Sequence, residues 1–420
     1  MAARPLLTRR PAISPVRRRL TFLLTGYEPL PPAAHHHRFA REIRRFEATW
    51  SLKATVGGLT EIPDRPVATW PVALEGPDFG VETEVRLLRW DDIVAEDMEM
   101  PLWQRLPRYL LAAGDILVTG TFARYVAAYW RYGLFAAYPL VLLVLFGLVG
   151  ILASLVPGLL GFGAPWPVRL ALGLATFLGL TMFAGPRMHL TYMLADWIFA
   201  RDMMRQRRPG IDARAEAFAR EIAAGLADPG FDEVVIVAHS LGAAWMADAV
   251  ARALSADPTL VSTGRPLGLV GAGSSTLKIA LHPAAGWLRA AVQRVADAPG
   301  ITWAEYDSHV DFICFYKNDT PTALGLTVAH PPLRRSIRLS RMLAPATWRR
   351  FRGNLLRIHR QYVMGNEQRY LYDVHMIACG PFRFADIARR GEDLPGALGP
   401  DGSLAAAATP LPSTMDMPAR

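Results

Sequence analysis

Residues 132–168 contain no Asp, Glu, Lys or Arg, and that gap limits what the chain can fold into. Within it, residues 134–155 (LFAAYPLVLLVLFGLVGILASL) are almost continuously apolar, enough for the roughly 20 helical residues that cross a hydrocarbon core. Pro157, Gly158, Gly161, Gly163, Pro165 and Pro167 then make an uncharged turn. A second, shorter run, residues 166–185, crosses back if Arg169 snorkels at its edge. Apolarity on every side over two successive runs argues against a buried hairpin of a soluble protein. The expectation is a transmembrane helical hairpin over residues 131–187.

Its flanks suggest an orientation. Arg124 and Arg131 precede the first run, Arg187, Arg201, Arg205, Arg207 and Arg208 follow the second, and only Arg169 is near the turn. By the positive-inside rule both long arms are cytoplasmic, which implies a multi-pass protein of a bacterial inner membrane. Residues 188–210 mix Leu, Tyr, Trp and Phe with arginines at the C-terminal end. They suit an interfacial helix or an amphipathic helix packed on a soluble core, and both readings stand.

The 420 residues leave room for a full α/β domain beside the hairpin. The 46 basic residues exceed the 37 acidic ones by nine, and all but Lys53, Lys278 and Lys317 are arginines. A basic surplus fits nucleic acid or an anionic membrane face; the hairpin decides for the lipid bilayer and against nucleic acid. Two cysteines, Cys314 and Cys379, give no disulfide framework and no metal-ligand spacing. Residues 1–19, with Arg4, Arg9, Arg10 and Arg17–19 among prolines, suggest a disordered basic arm near lipid headgroups, since no apolar run long enough for a signal peptide follows. Residues 391–420, rich in Ala, Pro and Gly, suggest a disordered tail.

The chemistry is concentrated in residues 233–250, EVVIVAHSLGAAWMADAV. Val234 to Val237 form a short β-branched run of the kind covered on both faces in a parallel sheet. Ala238-His239-Ser240-Leu241-Gly242 then has G-x-S-x-G spacing with Ala in the first small position, and an alanine-rich helix follows. A strand, a sharp turn and a slim helix with Ser240 at the apex make a nucleophile elbow, in which the serine hydroxyl stands clear of the sheet.

On these residues the chain resembles the α/β-hydrolase superfamily, and AHSLG is similar to the elbow of bacterial lipases and related esterases. The resemblance extends over residues 20–60 and 200–385. It implies an α/β fold with a mostly parallel sheet flanked by helices, interrupted here by the hairpin: residues 20–130 and 211–390 are the two parts of one hydrolase domain. It also implies a catalytic order of Ser, then Asp or Glu, then His. Asp307, Asp311 and Asp319 qualify by order; Asp311 is favoured because Ser308-His309-Val310-Asp311 is similar to the S-x-x-D acid loop of lipase-like members, with Asp307 close behind. For the base, His330, His359 and His375 lie late enough. His359 is favoured, because His359-Arg360-Gln361-Tyr362 looks like the H-x-x-Y of some lipase-like hydrolases, whereas His375 sits in an apolar stretch.

The oxyanion hole is expected from the N–H of Leu241 and that of Tyr27, where Gly26 lets the loop after the strand at residues 20–25 approach closely. His35, His36 and His37 are expected at a surface or interface rather than on a metal. The activity implied is hydrolysis of a lipid or other amphiphilic ester through an acyl-enzyme, with no metal or organic cofactor. A catalytically dead scaffold on the same fold competes with it, and a transporter fits less well because two spans supply few intramembrane polar groups.

Overall fold

A computed structural model describes residues 15–262 and 265–405. Among these described residues, nine strands form one mixed, mostly parallel sheet in an α/β fold. They are β1 (Arg18–Leu24), β2 (Lys53–Val56), β3 (Thr60–Glu61), β4 (Val67–Glu75), β5 (Gly80–Leu88), β6 (Glu233–His239), β7 (Leu267–Ala272), β8 (Ile301–Asp307) and β9 (Leu333–Ser336). The order is β2-β4-β5-β1-β6-β7-β8-β9, with β3 paired to β4. From β5 to β9 all neighbours are parallel, and β4 runs antiparallel to both β5 and β2. Every residue of β6 and β7 is buried, as parallel strands covered on both faces require.

Helices cover both faces: α1 (Pro32–Trp50), α2 (Asp91–Glu99), α3 (Leu102–Val118), α4 (Thr121–Ala128), α5 (Trp130–Leu159), α6 (Trp166–Gly179), α7 (Leu190–Met204), α8 (Pro209–Ala227), α9 (Gly242–Ala256), α10 (Thr276–Ala280) and α11 (Gly286–Asp297), then shorter pieces. Two separate apolar clusters result. One lies under α7, α8, α9 and α11, and the other under α1 and the C-terminal helices.

β1 opens the chain's path through the sheet yet lies in its middle. From it the chain passes first to the β5 side and later to the β6 side. Ligands in open α/β sheets lie outside the carboxyl ends of the strands where the order reverses in this way. Here that point is the gap between Leu24 and His239.

Helices α5 and α6, the latter continued by a wider turn to Ala184, are both long and apolar enough to cross a membrane. Only 28% and 6% of their most apolar windows are buried, so the pair stands away from the α/β domain with Leu145, Leu148, Ile151, Leu152 and Leu170 exposed. Their backbones approach at two glycines: a Cβ on Gly150 meets the Gly173 carbonyl at 2.7 Å, and one on Gly173 meets that of Gly150 at 2.9 Å. Arg169 turns inward, its Nε donating to the Ser154 carbonyl at 3.0 Å.

Three expectations need correction. The basic arm ends before residue 19: β1 starts at Arg18, and Arg19 is fully buried. Its Nε and Nη2 donate to Glu233 Oε2 at 3.1 and 2.8 Å, and its two Nη atoms reach the carbonyls of Gly380 and Phe382 at 2.6 Å each. A guanidinium survives burial only with partners of this kind; residues 1–14 lie outside the described residues.

Residues 391–405 are not a loose tail. Leu394, Ala397 and Leu398 are buried, Leu398 bridges Leu404, and Arg369 donates to the carbonyls of Leu398 and Gly399 at 2.8 and 2.9 Å. Residues 406–420 lie outside the described residues.

Of the two readings of the helix within residues 188–210, packing on the α/β core holds, while the interfacial placement and the two-faced character do not. α7 is buried on every side from Met193 to Ala200, with Asp196 ion-paired to the buried Lys278.

Candidate functional site

Ser240 is the one residue of the elbow with backbone in the left-handed region, φ 54°. Its N–H donates to the Ala272 carbonyl at 3.1 Å, and its own carbonyl accepts from Ser275 N at 3.1 Å. The turn is thus gripped by the loop that follows β7. Gly242 is small by necessity: a Cβ there meets the carbonyl oxygens of Leu24 and Thr25 at 2.4 and 2.7 Å. Ala238 is accommodated without exposure, which accounts for Ala at the first small position of the motif.

Asp311 and His359 are brought together. His359 Nδ1 donates to Asp311 Oδ2 at 2.7 Å, both side chains being buried. The other carboxylate oxygen accepts from Ile313 N at 2.9 Å, so Asp311 is fixed at both oxygens. Burial pushes its pKa up, but the facing imidazole, the Ile313 N–H and the Cys314 thiol outweigh that and hold it below the usual carboxylate value. An ionised Asp311 places the imidazole proton on Nδ1. That leaves a lone pair on Nε2, which is buried and bonded to nothing among the described residues.

Ser240 belongs to the same cluster through the loop after β7. The His359 ring lies against Gly273, whose added Cβ meets its Cε1 at 3.3 Å. Two residues on, Ser275 is 3.5 Å from Ser240 Oγ and donates to the Ile313 carbonyl at 3.1 Å. With the Ser275 proton so engaged, Ser240 is the donor of their long contact. No hydrogen bond joins Ser240 to His359 among the described residues.

On the other side of Ser240, Gly26 passes so close that a Cβ on it stands 3.0 Å from Ser240 Cβ and 3.4 Å from Oγ. Tyr27 follows, and among the described residues no acceptor is bonded to its N–H or to that of Leu241. The Tyr27 carbonyl accepts from the Tyr192 hydroxyl of α7, its phenol donates to Asp97 at 3.1 Å, and Trp90 Nε1 reaches the Thr25 carbonyl at 3.2 Å. These bonds fix the loop from outside.

The alternatives are occupied elsewhere. Asp307 accepts from Ser336 Oγ at 2.6 Å and Lys317 N at 2.9 Å at the sheet edge. Asp319 caps a short helix. His375 is sealed between Phe39 and Phe46, and burial brings its pKa down to about 4. His35 is buried and bonded by Arg38 at 2.9 Å.

Several residues at the site carry no sequence signature. His239 donates from Nε2 to the His359 carbonyl at 2.9 Å, and the two rings lie 4.6 Å apart. Burial, then the neighbouring His359, lower its pKa to about 3, so it serves as a neutral prop. Glu28 binds Arg38 at 2.9 Å and Arg360 at 3.2 Å, tying the loop after β1 to the helix of His359. Burial opposes its ionisation, but Arg38 and Arg360 pull its pKa down to about 2. Each residue is met through chain 120 or more positions distant or through a charge pair that spacing does not specify, except that His239 adjoins Ser240.

The hairpin is rooted in this cluster. Tyr129 and Arg131 both donate to the His309 carbonyl, at 3.1 and 2.6 Å, and Asn318 Nδ2 donates to Ala128 O at 2.8 Å. Tyr132 stacks on Phe315 at 3.9 Å. The loop carrying Asp311 is therefore clamped to the start of α5, just as the Tyr27 loop is clamped to α7. Comparison with protein-family models, with curated proteins and with solved structures found no match.

Proposed function

We propose that the protein is a membrane-anchored serine hydrolase of the α/β-hydrolase type, acting on a lipid or other amphiphilic acyl ester at the cytoplasmic face of a bacterial inner membrane. The observation that carries the reading is the bond from His359 Nδ1 to Asp311, with Nε2 unengaged and the pair packed against the loop after β7 that grips Ser240. In that arrangement Nε2 takes the Ser240 proton as the hydroxyl attacks the ester carbonyl, and Asp311 steadies the imidazolium that forms. The N–H groups of Tyr27 and Leu241 receive the oxyanion. His359 returns the proton to the leaving alcohol, and water releases the acyl group by the same steps in reverse. The amphiphilic substrate class rests on the hairpin, whose base and exit helix hold the two loops flanking Ser240.

Labelling of the detergent-solubilised protein with a fluorophosphonate, beside Ser240→Ala, tests this. Labelling lost only in the variant is expected, and an equal signal from both removes Ser240 from the chemistry. The second reading is a non-catalytic scaffold, favoured by the missing Ser240–His359 bond; folded wild-type protein that takes no label would establish it over the enzyme.

A further inference from the structure

Among the described residues, one face of α3 has no partner. Arg105, Tyr109, Ala112, Asp115 and Ile116 are buried, while Trp103 is 74% exposed, Leu111 61% and Val118 84%, with Leu110 and Leu117 about half exposed. Trp103, Leu110 and Leu117 recur every seven residues, as do Leu111 and Val118, so these side chains form a single stripe on the helix. Gln104 and Arg108 are the polar side chains exposed beside it. Large apolar side chains in such a patch are not left to water without a partner.

The chain itself indicates what covers them. At Gly120, φ 68°, it bends by 70° into α4, and a single residue, Tyr129, separates α4 from the first spanning helix. Eight helical residues are only about 12 Å long, so α3 cannot stand far from the surface that α5 enters. The exposed stripe also continues along the chain, through Val126 on α4 to Trp130 and Leu134 at the start of α5. Exposed Arg108 and Arg124 border it. A tryptophan at one end, aliphatic side chains along the face and arginines at the margin match the headgroup boundary of an anionic bilayer. The buried face is fastened to the domain: Arg105 donates to Met98 O at 2.8 Å, and Arg201 donates to Asp115 at 3.1 Å.

We propose that α3 lies in the plane of the membrane, its stripe of Trp103, Leu110, Leu111, Leu117 and Val118 sunk into the headgroup–acyl boundary of the leaflet that α5 enters. The hairpin then anchors the domain, and α3 fixes its tilt. Asp97, which accepts the Tyr27 phenol, lies at the end of α2 just before α3. The loop beside Ser240 is thereby set close to the lipid surface.

The test uses the full chain in vesicles of phosphatidylcholine and phosphatidylglycerol. Leu111→Cys and Val118→Cys are labelled singly with an environment-sensitive nitrobenzoxadiazole; the native Cys314 and Cys379 are buried. Leu145→Cys, midway along the apolar run of α5, and Glu82→Cys at the opposite end of the strands are the references. Doxyl lipids carrying the spin label near the headgroup are expected to quench the probes at 111 and 118 about twofold more than lipids labelled near the chain end. The 145 probe should show the reverse and the 82 probe no quenching. Water-like, unquenched emission at 111 and 118 with normal quenching at 145 overturns the proposal while leaving the hairpin. Stronger quenching at 111 and 118 by the deep label also overturns it, in favour of a bent re-entrant pair. None of these readings depends on ester hydrolysis, so inactive protein tests the proposal equally well.

Discussion

Arg131 Nη1 donates to the His309 carbonyl at 2.6 Å, joining the first turn of α5 to the loop that carries Asp311 two residues later. The guanidinium also lies 5.2 Å from the Phe312 ring. The bond holds backbone rather than a reacting group, so its loss should displace the Asp311–His359 pair without touching substrate. Arg131→Ala is expected to lower kcat by roughly 3- to 30-fold, the scale set by sub-ångström misplacement of catalytic groups, with KM little altered. Tyr129→Phe, which removes the second bond to the same carbonyl, should shift kcat in the same direction. A change confined to KM would show that the clamp acts on substrate entry instead.

Asp311 and Asp307 are both buried acids after the same strand, and their partners distinguish them. Asp311→Asn is expected to lower kcat by about 10³- to 10⁴-fold through the wrong imidazole tautomer, with folding retained because the Ile313 N–H still finds an acceptor. Asp307→Asn should leave kcat within a few-fold, since Asp307 binds Ser336 and Lys317 N at the strand edge and no imidazole. Steady-state kinetics and melting curves on the two purified variants decide; the opposite pattern would make Asp307 the acid.

Local features of the chain were legible because their causes are local. The run Val234–Val237 and the small residues around Ser240 specify strand, turn and helix within a few residues, and all three form. Asp311 and His359 were found by order and short motifs, and they meet. What stayed hidden depends on partners far along the chain. Arg19 looks like one more member of a basic run until Glu233, Gly380 and Phe382 surround it. β4 was hidden in a Gly- and Pro-rich stretch by Pro71, although from Val72 to Glu75 its residues alternate between buried and exposed. α3 was obscured because Arg105, Pro107, Arg108 and Asp115 interrupt its apolar pattern, and two of these charges are buried against the domain.

The small residues around Ser240 make a graded series. Gly242→Ala drives a Cβ into two carbonyl oxygens at 2.4 and 2.7 Å and is expected to cost about 1–3 kcal/mol or more as overpacking against backbone. Gly26→Ala brings its Cβ to 3.0 Å from Ser240 Cβ, a milder contact at the reacting group, and should lower kcat about 10- to 100-fold with little change in melting temperature. Ala238→Gly restores the usual small residue of the motif and should cost only about 0.5–1 kcal/mol in the strand, leaving kcat intact. Melting temperature and kcat measured on the three variants check the order; full activity in Gly26→Ala would remove the loop after β1 from the oxyanion site.

Glu305 carries a pH dependence of its own. It is buried on β8 beneath Thr320, whose N and Oγ1 donate to it at 3.0 and 2.6 Å. Burial, only partly offset by these bonds, raises its pKa from 4.5 to about 7. Below pH 4.5 folded and unfolded chains both hold the proton, and Glu305 is neutral to stability. Between 4.5 and 7 the unfolded chain gives up its proton while the folded chain keeps it, so stability falls as pH rises; above 7 the full cost is present. Glu305→Gln fits the same two bonds, accepting from Thr320 N and donating to Oγ1. The variant is expected to melt like wild type near pH 4.5 and to exceed it at pH 8 by on the order of 1–3 kcal/mol. Melting curves of both proteins in detergent across that range provide the measurement. A wild-type advantage that grows with pH would mean that Glu305 is ionised and stabilised in the fold.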